Sequence, residues 1–297
     1  MSEKDLAEWF KDIESTECKG LKETTKPIEF WVAIDRQQWN ALKQRSSDER
    51  FTRFVLELLR RGQGNVYIDE DRITAELKIR DIPFIDFEDL NELYMEFRKK
   101  LRGVKEKKDI FRKLSQSENP LIKNNLMKIR NLFNFTSSYR WGSWQATYVL
   151  IGARSIIKPE NDGFDKYIKT AKEKSEDNDF DDDKLLQLKF VGLKVRDLAL
   201  TQFLDEYIAI DQNIKNVIMK TGLIRYYNQR FNETVPENPD LSSRKQYKSV
   251  WKMLRQICRT MNVAPRKLDR VLWHFGGKYK DKNFTDFNMK KYLHTCV

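Results

Sequence analysis

Along most of this chain, apolar positions recur at helical spacing. Phe51, Phe54, Val55, Leu58 and Leu59 do so within FTRFVLELLRRG, where Gly62 supplies a stop. DFEDLNELYMEFRKKL carries acids in its first turn and bases in its last, the order that a helix dipole favours. Residues 121 to 134 read as another helix, and the N-terminus opens on a short amphipathic one. Tyr247, Val250, Trp251, Leu254, Ile257, Cys258 and Met261 form one stripe of SRKQYKSVWKMLRQICRTM. Pro265 then opens a last helix, RKLDRVLWHFG, which Gly276 and Gly277 are expected to end. Two stretches break the pattern. IEFWVAI reads as a strand, and NVYIDEDRITAELKI reads as a strand hairpin, although ITAELKI reads equally as helix. The expected class is mostly α, with room for a small β element in the N-terminal part.

Between the periodic segments lie polar breaks. The acidic run EKSEDNDFDDDK, residues 173 to 184, alternates acids as a calcium loop does but lacks the turn glycine and the closing glutamate. It reads as a solvated loop that offers Asp182 or Asp183 as N-cap to the short helix KLLQLK. The basic run RKKLRGVKEKK reads first as a solvated face and second as a phosphate-tracking one. VPENPDLSS is a clear loop.

Charge changes the picture more than length does. The 297 residues suffice for one large or two modest domains, and a hydrophobic content of 40% marks a globular chain. The net charge of +11 favours a polyanionic partner, nucleic acid before an anionic membrane, with solubility alone as the plain alternative. Cys18, Cys258 and Cys296 stand far apart, in neither metal-ligand nor disulfide spacing, which points to reduced thiols and an intracellular setting. His274 and His294, the two histidines, make a histidine triad or a His-rich metal site an unpromising expectation. The charged start MSEKDLAEWFKDIE is not read as a signal peptide, and no apolar run reaches membrane-spanning length.

Residues 184 to 222 carry the candidate chemistry. KLLQLK, FVGL and KVRDLALTQFL read as helix, tight turn and helix, with Val195, Leu198, Ala199 and Gln202 on one face. Lys194 opens the second helix. Asp211 precedes QNIKNVIMKTG as an N-cap, accepting from the amide of Asn213 or Ile214, and Gly222 ends that helix. Amides at the start of a helix entered through a short turn are suited to holding phosphate.

The arrangement resembles the helix-hairpin-helix DNA glycosylases, whose hairpin reads L-P-G-V-G-x-K and is followed by a hydrophobic-V-D-x-H segment. The matching residues here are Leu188-Lys189-Phe190-Val191-Gly192-Leu193-Lys194 and Ala209-Ile210-Asp211-Gln212-Asn213. Lys189 and Phe190 replace the hairpin's proline and first glycine, Asn213 stands where histidine is common, and the four-cysteine iron–sulfur signature is missing. Phenylalanine is costly at positive φ, so the turn is expected to differ in backbone from the family's. The missing cluster ranks the chain nearer the oxoguanine branch.

The resemblance implies two helical domains: an N-terminal portion, residues 1 to 118, and a helix-hairpin-helix domain, residues 119 to 297. It implies excision of a damaged base, of the oxidised-purine kind, from double-stranded DNA, with no cofactor and no metal. Lys194 would be the Schiff-base nucleophile and Asp211 the carboxylate that stabilises positive charge on the sugar. Lys189, Val191, Gly192 and Leu193 would hold a phosphate, and Trp273, Phe275 or Trp144 would line the base pocket, each also readable as core. Two rival readings remain open: a non-catalytic hairpin that only binds nucleic acid, and a basic scaffold protein.

Overall fold

The computed structural model describes residues 3–19, 25–60, 87–100, 112–124, 126, 143–158, 162–177, 180–278 and 284–291. The protein is mostly helical, with one small antiparallel sheet near the N-terminus. Its contacts divide it into two compact units. The first comprises residues 1–44, 171–180 and 200–297, and the second residues 45–170 and 181–199. Residue 118, the boundary expected from sequence, falls inside the second unit.

The first unit begins with α1 (Glu3–Ser15), whose Leu6, Trp9, Phe10 and Ile13 are buried at helical spacing. Strands β1 (Glu17–Lys19) and β2 (Thr25–Pro27) pair with Cys18 opposite Lys26. The segment expected as a strand is instead the start of α2 (Ile28–Lys43). Its β-branched and aromatic composition misleads. The burial of Ile28, Val32, Asp35, Trp39 and Leu42 follows the helical period over four turns. The unit continues with α8 (Gln212–Lys220), α9 (Leu223–Phe231), α10 (Arg244–Met261) and α11 (Pro265–Lys278). On α10 the expected stripe is buried from Tyr247 to Cys258. Helix α11 starts at Pro265 as expected, but it runs through Gly276 and Gly277 rather than ending there.

The reason is α8. A Cβ on Gly276 would lie 2.6 Å from the carbonyl oxygen of Asn213 and 2.9 Å from its carbon, so the glycine lets two helices approach closely. It is an element-packing residue, not a stop signal.

The second unit contains α3 (Ser47–Arg60), α4 (Phe87–Lys100), α5 (Ser143–Ile157) and most of α7 (Leu193–Leu200). Between α5 and α7 lies α6 (Gly163–Asp177), so residues 173–177 of the acidic run are helical rather than loop. Phe51 and Phe54 of α3 pack on Phe164 of α6 at ring separations of 5.8 and 5.4 Å. KLLQLK is a four-residue 3₁₀ turn, Lys184–Gln187, not a full helix. NVYIDEDRITAELKI, Gly62, most of the expected helix 121–134 and the run 101–108 lie outside the described residues.

Candidate functional site

Lys194 belongs to the second unit and Asp211 to the first, so each helix entry is described in its own unit.

The entry to α7 is a braced turn. Asp183 caps the 3₁₀ turn, accepting from the Leu185 amide at 2.9 Å, and its other oxygen accepts from the Tyr167 hydroxyl at 3.1 Å. That same oxygen meets Arg196 Nη1 of α7 at 3.1 Å, while Arg196 Nε donates to Asp197 at 2.8 Å. Arg196, 1% exposed, thus ties the two sides of the turn together. Leu188 packs over Gly152 of α5, where an added Cβ would come within 2.6 Å of the leucine methyl. One helical turn away on α5, Tyr148 receives the Phe190 ring edge-on, 6.1 Å between centroids.

Those contacts hold Phe190 at φ 81°, in the left-handed region. The backbone at Phe190 therefore takes a positive φ, which a glycine would adopt at less cost. Such a conformation costs a non-glycine residue about 1–2 kcal/mol and persists where neighbours over-determine it.

The helical ladder begins with Val195 and Arg196 amides on the Gly192 carbonyl, at 3.1 and 3.0 Å. The amides of Gly192 to Lys194 precede that ladder, where a helix's positive end lies. Gly192 and Lys189 are exposed, Val191 and Leu193 buried, and Lys194 half-buried. Lys189 Nζ sits 5.3 Å from the Phe190 ring centre. So of the four expected phosphate-binding positions, two face solvent with their side chains or open backbone, and two anchor the turn.

The entry to α8 is fixed more tightly. Asp211 caps the helix, accepting from the Ile214 amide at 3.0 Å, one of the two partners expected from sequence. The residues before it are pinned one after another. Asp269 of α11 accepts the Ala209 amide at 2.8 Å, and the Tyr247 hydroxyl of α10 accepts the Ile210 amide at 3.2 Å. Gly276 then admits the Asn213 backbone. Asp211 is half-exposed between these fixed points.

Asp269 was not singled out from sequence. Its position shares a helical face with Gly276, but nothing local announces a carboxylate bound for residue 209. Burial drives its titration up to about 7, the nearby Asp211 charge adds to the rise, and Arg270, the Ala209 amide and Arg266 oppose it.

On another face of α11, Arg270 Nε donates to Asp35 of α2 at 2.9 Å and His274 Nε2 lies 3.2 Å from the same oxygen. Burial pushes the Asp35 carboxyl up, but Arg270 and His274 outweigh it and hold the group below the usual carboxylate range. Close by, the Arg266 guanidinium stacks on Trp39 at 3.3 Å and reaches Asp205 at 3.4 Å. These residues, with Glu29, Arg36 and Lys43, line a cavity of about 430 Å³.

The expected pocket aromatics separate. Phe275 is 0% exposed and enclosed by Phe284 and Phe287 at 5.3 and 4.9 Å, a core side chain. Trp273 is half-buried, with the Arg270 guanidinium 4.8 Å from its ring centre. Trp144 lies in α5, but its side chain is outside the described residues. Among the described residues, no three His, Cys, Asp or Glu side chains form a metal-holding group, and no helix is long and apolar enough to cross a membrane. No protein-family model matches the chain, and no curated protein or solved structure is significantly similar to it.

Proposed function

We propose that the protein excises a damaged base from double-stranded DNA and can cleave the strand at the resulting site. The observation that supports this reading is that two helix entries, each described within its own unit, carry the lysine and the carboxylate that such chemistry needs. A braced tight turn delivers Lys194 in the first turn of α7, and a pinned N-cap delivers Asp211 at the start of α8. In this reading, a base is drawn out of the stack and held against apolar or aromatic surface, with Trp273 the candidate among the described side chains that keeps exposure. As the C1′–N bond breaks, positive charge develops on the sugar, and the Asp211 carboxylate stabilises it. Lys194, as neutral amine, attacks C1′ and the base leaves. The sugar ring opens to an imine between Nζ and C1′, which permits strand cleavage by elimination. The turn amides and Lys189 would hold a neighbouring phosphate, and the +11 charge of the chain would supply affinity for the backbone.

Borohydride trapping on duplexes carrying different lesions tests the reading. Wild-type protein should form a reduced covalent adduct on at least one duplex. Lys194→Gln should abolish it while keeping DNA affinity within a few-fold, because one phosphate contact is a small part of the total. Undiminished trapping in Lys194→Gln, or no adduct on any duplex, would overturn the proposal.

A further inference from the structure

Asp211 stands on a segment whose backbone is held at three points by other helices. Asp269 holds the amide of residue 209, Tyr247 that of residue 210, and Gly276 lies against the carbonyl of residue 213. Two of the three belong to one face of α11. The amide of Ala209 needs only an oxygen acceptor, which a neutral asparagine would supply as well. A carboxyl at 2% exposure is an expensive choice for that task alone. The charged groups that act on it are Arg266 and Arg270 from its own helix and Asp211 from the start of α8; it acts in turn on Cys258 of α10, and the Tyr247 hydroxyl of α10 holds the next amide. Arg270 is already committed to Asp35, and Arg266 to Trp39 and Asp205. The anion that acts on Asp269 is therefore the one that the proposed chemistry uses.

We propose that Asp269 is a proton-linked positioning residue for Asp211: its carboxyl fixes the chain entering α8, and a proton on it leaves the site with a single negative charge, borne by Asp211. This rests on the reading of Asp211 as the charge-stabilising group. Loss of the proton puts two negative charges on one covered site. The half-exposed partner, Asp211, is the one able to turn toward water, away from the Ile214 amide and from its working position.

The raised titration of Asp269, about 7 in the folded chain against 3.8 in the unfolded one, fixes the sign of a stability test. The folded state holds the proton more tightly. The contribution is complete below the unfolded value and is lost as pH rises through the folded one.

Denaturant unfolding of the full chain from pH 4 to 8.5 should therefore show the folding constant of wild type falling relative to that of Asp269→Asn. The fall approaches tenfold per pH unit up to about 7 and levels off above it. In an Asp211→Asn background the same fall should level off at a lower pH, because one source of the rise is gone. Parallel curves for wild type and Asp269→Asn, or a levelling point that ignores Asp211→Asn, would overturn the inference.

The excision rate supplies the second readout. For wild type it should decline as pH rises through 7, and the ratio of Asp269→Asn to wild-type rates should climb several-fold between pH 6 and 8.5. A trapped adduct with a flat ratio sinks the inference and leaves the function standing. No adduct from wild type at any pH sinks the function, and this role with it, whatever the stability curves give.

Discussion

Asp35, packed against α11, and Asp269, a residue of that helix, are both buried, at 7% and 2% exposure, yet α11 treats them in opposite ways. Toward Asp35 it presents Arg270 and His274, one helical turn apart, and the carboxylate is held in its charged form. Toward Asp269 it presents no such clamp. The carboxyl accepts a backbone amide, and burial lifts its titration toward neutrality. The first arrangement fastens α2 to α11. The second fastens the chain entering α8 while keeping a titratable group beside Asp211. A group held at a cost to stability next to a candidate reactive carboxylate is the pattern expected of a working site, since evolution tolerates such strain where function needs it.

The clamp on Asp35 carries the largest expected effect on folding. Removing its carboxylate leaves Arg270 and His274 without their shared acceptor in a buried place, at a cost of about 3–5 kcal/mol. Asp35→Ala should lower the unfolding midpoint accordingly, while Asp269→Asn should raise stability above pH 7. Asp35 also sets the acid limb. Its folded titration is depressed, so its contribution is present above the unfolded value of 3.8 and lost as pH falls below it. Urea titrations at pH 3 and 5 check this: Asp35→Asn should be less sensitive to that change than wild type. Equal sensitivity would mean the pair does little in the folded state.

Gly276 sharpens the α8 side. In an open helix, Gly→Ala gains roughly 1 kcal/mol. Here the new Cβ meets backbone atoms of Asn213, which cannot rotate away, so Gly276→Ala should destabilise by about 1–3 kcal/mol. Gly277→Ala is the control. Its Cβ would meet the Asn213 side-chain nitrogen at 3.2 Å, the end of a flexible group, and stability should hold or rise. If both variants behave alike, the close approach of the two helices is not what fixes α8.

Sequence periodicity disclosed the helices that bury one face, among them α1, α3, α10 and α11, because that burial repeats within a single element. It disclosed the caps at Asp183 and Asp211 for the same reason, since donor and acceptor lie two or three residues apart. What it missed depends on distant partners. Gly276 imitates a helix stop until Asn213 is placed against it. Phe190 looks incompatible with a left-handed turn until Tyr148 supports its ring. IEFWVAI satisfies strand composition, and only the later burial of Trp39 and Leu42 extends its pattern to a helix. Asp35 and Arg270 are 235 residues apart, and no local motif joins them. Of the candidate site, the helix start at Lys194 and the cap at Asp211 were readable, and Asp269, which holds the chain just before that cap, was not.

The smallest expected effect on folding is also the most telling about Asp211. As an N-cap it accepts one amide from the first turn of α8, a contact worth about 1 kcal/mol when truncated to alanine and only a few tenths when changed to asparagine. The other fastenings of the segment, at Ala209, Ile210 and Asn213, stay in place in either variant. Asp211→Ala should therefore lose about 1 kcal/mol, and Asp211→Asn should melt within a degree or two of wild type. Base excision divides the variants differently. Both lack the negative charge, so both should fall by orders of magnitude, and the asparagine variant should fall with its cap intact. Melting curves and excision rates measured on the same preparations separate the two roles. If excision tracks stability across wild type, Asp211→Asn and Asp211→Ala, the carboxylate is a cap and nothing more. If Asp211→Asn keeps its melting temperature and loses excision, the charge at the start of α8 is what the pinned segment exists to place.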